Sequence, residues 1–316
     1  MGRLRSVFLG PDGIRAGWSF LLFVLVYVAI CLAIFAVLMV LPVPDGVHGH
    51  DIVSRIDAMK LGVPESILIW PVWNLLPVIV ATAALLRIER RRWSFVLGAS
   101  GVAARMSQGI LAGIASVTLL VAALLVTRTL SVDRIASADA DIWAWGARWA
   151  IAYVAVAAYE ELLTRGYALR TLTRGLSFPW ALALTTLWFM YLHVHSDGET
   201  PFGLIGVALF GAICAFSIWR TGSMWWAFGF HAAWDWSETF LFGVPNSGMP
   251  ATHSVLVTHP LGPAWLSGGT AGPEGSIFMI PVIAALALML LRCRTRPSIV
   301  ARAADATRSP TSSTTS

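Results

Sequence analysis

Long apolar runs broken by short polar stretches dominate the chain. A helix that crosses a bilayer needs about 20 mostly apolar residues. Runs of that kind predict spans near residues 17–41, 64–86, 107–127, 143–163, 178–195, 202–219, 223–242 and 276–292. The first follows Arg3, Arg5 and Arg15 as a signal peptide would. It is too long for one, and the LPVPDG stretch behind it offers no small-residue cleavage site, so it reads as a mature helix. The pattern predicts an all-α fold, a polytopic transmembrane helix bundle of about eight spans. It forms a single membrane domain over 1–300 with its core at about 143–242, followed by a disordered Ser/Thr-rich tail at 301–316. No internal repeat of the kind found in inverted-repeat transporters stands out. Gly109 and Gly113 form a small-xxx-small pair that predicts close helix packing.

Composition rules out a water-soluble globule. Hydrophobic residues make up 57% of the 316 positions and charged residues 12%, against about 25% charged in an average soluble domain. The net charge of +5 carries no signal for nucleic acid, because nearly all of the basic residues are arginines at the ends of apolar runs. With a cytoplasmic N-terminus, the inner segments hold Arg3, Arg5 and Arg15, then Arg87, Arg90, Arg91, Arg92 and Arg105. Arg165, Arg170, Arg174 and Arg220 follow, and Arg292, Arg294, Arg296, Arg302 and Arg308 close the series. Only Arg55, Lys60, Arg128, Arg134 and Arg148 fall outside or near the outer face. That bias predicts both termini in the cytoplasm and a multi-pass membrane protein; among members of the family that the motifs below resemble, its compact architecture suits a prokaryotic one, in the cytoplasmic membrane. The stretch from Gly243 to Gly275 has neither Lys nor Arg and predicts an outer loop that folds partly back onto the bundle. Cys31, Cys214 and Cys293 suggest neither disulfides nor a CxxC metal site.

Ionisable residues inside the apolar runs are few, and each costs about 2.5–3.5 kcal/mol at the helix centre on insertion scales. They are Glu160 and Glu161 in span four, His193 and His195 in span five, and His231, Asp235 and Glu238 in span seven. Glu161 and Arg165 stand four apart and can pair along one helical face, which leaves Glu160 turned about 100° away, towards a cavity. His231, Asp235 and Glu238 share one stripe of span seven, and Phe189 shares a face with His193. A carboxylate and two imidazoles converging between helices can activate water and stabilise an oxyanion, the two needs of peptide hydrolysis. The same groups could instead serve a proton- or ion-coupled transporter as a relay, or persist in a non-catalytic scaffold or immunity protein. His195 points to another face and reads as interfacial. Gly98-Ala99-Ser100-Gly101 matches the GxSG of rhomboid proteases but falls in a loop behind arginines, and HExxH and GxGD are absent.

Three motifs occur in order: Glu160-Glu161-Leu162-Leu163-Thr164-Arg165 as EExxxR, Phe189 to His193 as FxxxH, and His231 to Asp235 as HxxxN/D. Their order on three polar-bearing helices resembles the CAAX-protease and bacteriocin-processing family of intramembrane endopeptidases, also called Abi. The Gly272-Pro273-Glu274-Gly275 stretch is loosely similar to loops in some members. The resemblance implies a glutamate-type endopeptidase acting on a membrane-associated peptide or protein, with the bilayer as its other partner. It implies Glu160 as general base, His193 as the residue that holds the water, and His231 and Asp235 at the oxyanion or substrate. Glu161 and Arg165 would then fix the helix, with Phe189 in support. Many members have Asn where this chain has Asp235; an ionised Asp cannot donate to an oxyanion, so it would act protonated, orient His231 or bind a metal. No cofactor is certain, and a divalent metal such as zinc, with Glu160, His193, His231 and Asp235 as candidate ligands, stays open. Glu160 and His231 lie about 14–15 Å from the cytoplasmic end and His193 about 22 Å. Convergence therefore requires a tilted span five, or a first turn in the interface near Pro179.

Overall fold

A computed structural model of the protein describes residues 6–11, 13–40, 63–98, 101–136, 141–196 and 200–292. The tail at 301–316 and the LPVPDG stretch lie outside them. Among the described residues nine α-helices of two or more turns follow one another. They are α1 (Ala16–Val40), α2 (Val63–Ile88), α3 (Val102–Val126), α4 (Ile142–Glu161), α5 (Tyr167–Gly175), α6 (Phe178–Leu192), α7 (Pro201–Thr221), α8 (Trp225–Trp236) and α9 (Met279–Arg292). Each predicted span coincides with one of them, and α5 is the helix that the apolar pattern did not mark.

Among the described residues, four stretches are long and apolar enough to cross a bilayer: Ala16–Val37, Pro64–Ile88, Pro201–Thr221 and one within Ser94–Val126. The helices α6 and α9 are apolar but have 15 and 14 residues. The outer surface agrees with a lipid setting. Leu22, Leu25, Leu32 and Phe35 of α1, and Leu111 and Leu119 of α3, are exposed. Water would penalise so broad an apolar surface, whereas lipid tails do not.

The fold departs from all-α in two small places. Leu9–Gly10 (β1) pairs with Gly13–Ile14 (β2), and Leu130–Ile135 (β3) pairs antiparallel with Leu256–Pro260 (β4) across a bulge between Val132 and Arg134. Apolar periodicity tuned to long helices passes over strands this short. The second ribbon matters more, because it anchors the Gly/Pro-rich loop. Val255 N donates to Phe240 O at 2.7 Å and Thr258 Oγ1 to Gly243 O at 2.8 Å, which binds the loop to the end of α8.

Helix ends follow local chemistry. The hydroxyl of Thr200 accepts from Gly203 N at 3.0 Å and Pro201 opens α7, while Gly222 ends it with φ of 69°. Contact between α3 and α8 is extensive because glycine removes the side chains between them. A Cβ on Gly113 would lie 2.6 Å from Phe230 O, and one on Gly109 would collide with Trp226 O. Gly229 of α8 answers from the other side against Met106 O. The small-xxx-small pair thus performs the packing role that its spacing predicts, and it holds α8, with its polar stripe, against the bundle.

Candidate active site

Two helices change pitch where the polar residues sit. Directly after Glu161, α4 widens into a π turn, Leu162–Gly166, before α5 continues. Directly after Trp236, α8 widens into a second, Ser237–Leu241. Such turns gather at functional sites because they re-aim the side chains on either side. Here they flank Glu160 and Glu161 on one helix and His231 and Asp235 on the other.

Glu161 and Arg165 are both fully buried, with Arg165 Nη1 2.6 Å from Glu161 Oε1. The guanidinium lies over the Phe189 ring with Cζ 4.0 Å from its centroid, a cation–π contact of the kind that gains strength away from water. Room for it comes from Gly211 of α7, where a Cβ would stand 2.8 Å from Arg165 Nη2 and 3.1 Å from Phe189 Cδ1. The same Glu161 oxygen lies 2.9 Å from His231 Nδ1. Glu161 therefore binds two residues, one from its own helix and one from α8, 70 positions away.

With Nδ1 engaged, His231 turns Nε2 to the other carboxylates: Glu160 Oε2 at 3.6 Å and Asp235 Oδ2 at 3.5 Å. Phe210 meets the imidazole edge-on at 4.8 Å between centroids. Glu160, His193, His231, Asp235 and Phe189 line one cavity, with Tyr153, Phe210, Asn246, Ser247, Met249 and Glu274 among its other walls. About 70 Å³ of it is open to the centres of water molecules, where roughly 10–15 Å³ suffices for one. The cavity has room for several water molecules.

His193 reaches the cavity from the end of α6. That helix stops at Leu192, so His193 sits just past it, with φ of −102°, and its Nδ1 lies 2.9 Å from Phe189 O. His195 is exposed and lies outside the cavity wall. Glu161 and Glu238 are fully buried and also absent from the wall. Glu161 thus touches the site only through His231 and Arg165.

Spacing did not point to Asn246, Ser247 or Glu274. They come from the Gly/Pro-rich loop, which does fold back as expected and closes the cavity. Asn246 Nδ2 donates to Asp235 Oδ1 at 3.2 Å and to Glu238 Oε2 at 3.1 Å. Ser247 donates from both its backbone N and its Oγ to Glu274 Oε1, each at 2.7 Å. The backbone of Glu274 rests where Gly206 lacks a side chain. The only sequence sign of this was the loose match at Gly272 to Gly275.

Among the described residues no three His, Cys, Asp or Glu side chains are grouped so as to hold a metal ion. Glu161 holds Nδ1 of His231 and leaves Nε2 facing Glu160 and Asp235.

A family model described as type II CAAX prenyl endopeptidase Rce1-like matches residues 142–237. That interval contains all three motifs and the four side chains from them that line the cavity with Phe189. No curated protein and no solved structure matches the chain. Ordered motifs, their convergence on one cavity and the match across them make residues 142–237 similar to the CAAX-protease family of intramembrane endopeptidases.

Proposed function

We propose that the protein hydrolyses a peptide bond within a membrane-associated peptide or protein, using water activated by Glu160. The observation that carries this reading is the pairing of Glu160 with His231 across a cavity large enough for water, while buried Glu161 holds the far side of the imidazole. Glu160 takes a proton from the water, and the resulting hydroxide attacks the carbonyl carbon. His193, on the same wall, holds the water. In its imidazolium form His231 donates Nε2–H to the oxyanion, and the carboxylates of Glu161 and Asp235 balance its charge. Glu160 then returns the proton to the leaving amine as the C–N bond breaks.

The bundle is read as eight spans with both termini in the cytoplasm of a prokaryotic cell, which opens the site to segments lying in or on the membrane. Peptides released from membranes holding equal amounts of wild type or of Glu160→Ala, His193→Ala or His231→Ala provide the test. Products present with wild type and missing from all three variants are expected. Identical peptide pools would count against hydrolysis and return weight to the transporter and scaffold readings.

A further inference from the structure

Asn246 lies outside all three motifs, yet its amide is the link between the loop and the polar stripe of α8. It is 4% exposed, and its nitrogen bonds Asp235 on one side and Glu238 on the other. Those two carboxylates share a helical face and would otherwise repel one another in a setting that screens charge poorly. The other oxygen of Asp235 faces His231 Nε2. A continuous polar chain therefore runs from Glu238 through Asn246, Asp235, His231 and Glu161 to Arg165, spanning the loop, α8 and α4.

We infer that Asn246 is a positioning residue: by holding Asp235 Oδ1 it fixes Oδ2 towards His231 and so sets where Nε2 points in the cavity. An ionised Asp235 can only accept hydrogen bonds, and Asn246 supplies a donor from outside the helix to Oδ1 while Oδ2 faces His231. The loop is in turn held for this purpose. Ser247, the next residue, is clasped twice by Glu274, Gly248 N donates to Ala271 O at 3.0 Å, and Gly272, at φ of 114°, lets the Pro245 carbonyl approach. This inference rests on the peptidase reading for its catalytic meaning, but the coupling itself can be observed without a substrate.

The test uses the full chain in lipid nanodiscs with ¹³C-labelled histidine, the His231 resonance being identified by its loss in His231→Gln. Asn246→Ala is expected to move that resonance and its pH midpoint as Asp235→Asn does, and the double variant to move it no further than either alone. An unmoved resonance, or additive effects, would overturn the inference. Should Asn246→Ala not fold, Asn246→Gln, which keeps the amide on a longer arm, is read by the same criteria. On any peptide whose release requires Glu160, Asn246→Ala should lower kcat about tenfold, the scale for losing a group that orients another, with little change in KM. Absence of any Glu160-dependent product, with the resonance coupling intact, would instead defeat the peptidase reading and leave the positioning in place.

Discussion

Glu161 and Arg165 show how much a short spacing can convey. Four residues apart on one helix implied a pair, and the pair stands at 2.6 Å with both members buried. Its third member, His231 Nδ1, comes from a helix 70 positions away, and no periodicity within one segment carries that information. Removal of Arg165 would strand a buried carboxylate, which typically costs about 3–5 kcal/mol. Arg165→Ala should therefore lose most of its folded yield in detergent, measured by size-exclusion profile and thermal unfolding. Arg165→Lys should fall in between, because an ammonium lacks the planar face that lies on Phe189. A wild-type unfolding midpoint for Arg165→Ala would mean that the triad contributes nothing to stability. Asn246 and Glu274 stayed hidden for a different reason: they belong to irregular backbone, where no repeat says which way a side chain faces.

Helices were the easier part to read, since apolar runs of this length have few alternatives in a chain of this composition. The pattern could not show where a helix changes pitch or stops early. One π turn straddles the expected end of span four and the other lies within span seven, and α6 ends three residues before the expected boundary of 195, which sets the position of His193. Glycines mark the close approaches. Gly109→Ala would drive a methyl into the Trp226 carbonyl and force α3 from α8, at a cost of about 1–3 kcal/mol. The expected result is a lowered unfolding temperature together with reduced peptide release, since His231 moves with α8. An equivalent change at Gly17, where nothing lies within 4 Å, should leave both measurements unaltered. Equal effects at the two positions would show that the glycine contacts do not govern the spacing of these helices.

For the whole molecule, orientation is the property that the arginines predict and that a membrane-impermeant thiol reagent can test. In a background lacking Cys31, Cys214 and Cys293, Val132→Cys on β3 should label from outside intact cells, and Ser94→Cys, beside Arg91 and Arg92, only after lysis. The reverse labelling would invert the topology and place the β3–β4 ribbon and its loop in the cytoplasm. Orientation matters to chemistry because that loop supplies Asn246, Ser247 and Glu274 to one side of the cavity, and so determines from which leaflet a peptide must approach.

Hydrolysis by water activated at Glu160 is tested most directly by isotope. Wild-type protein and Glu160→Gln are reconstituted at equal amounts with a peptide drawn from the released pool, in water enriched in ¹⁸O. Wild type should form a product whose new C-terminal carboxylate carries one ¹⁸O. Glu160→Gln, which keeps the size of the side chain but cannot accept the proton, should be slower by about 10²–10⁴-fold. Cleavage by Glu160→Gln at the wild-type rate, or a product without ¹⁸O, would contradict the mechanism.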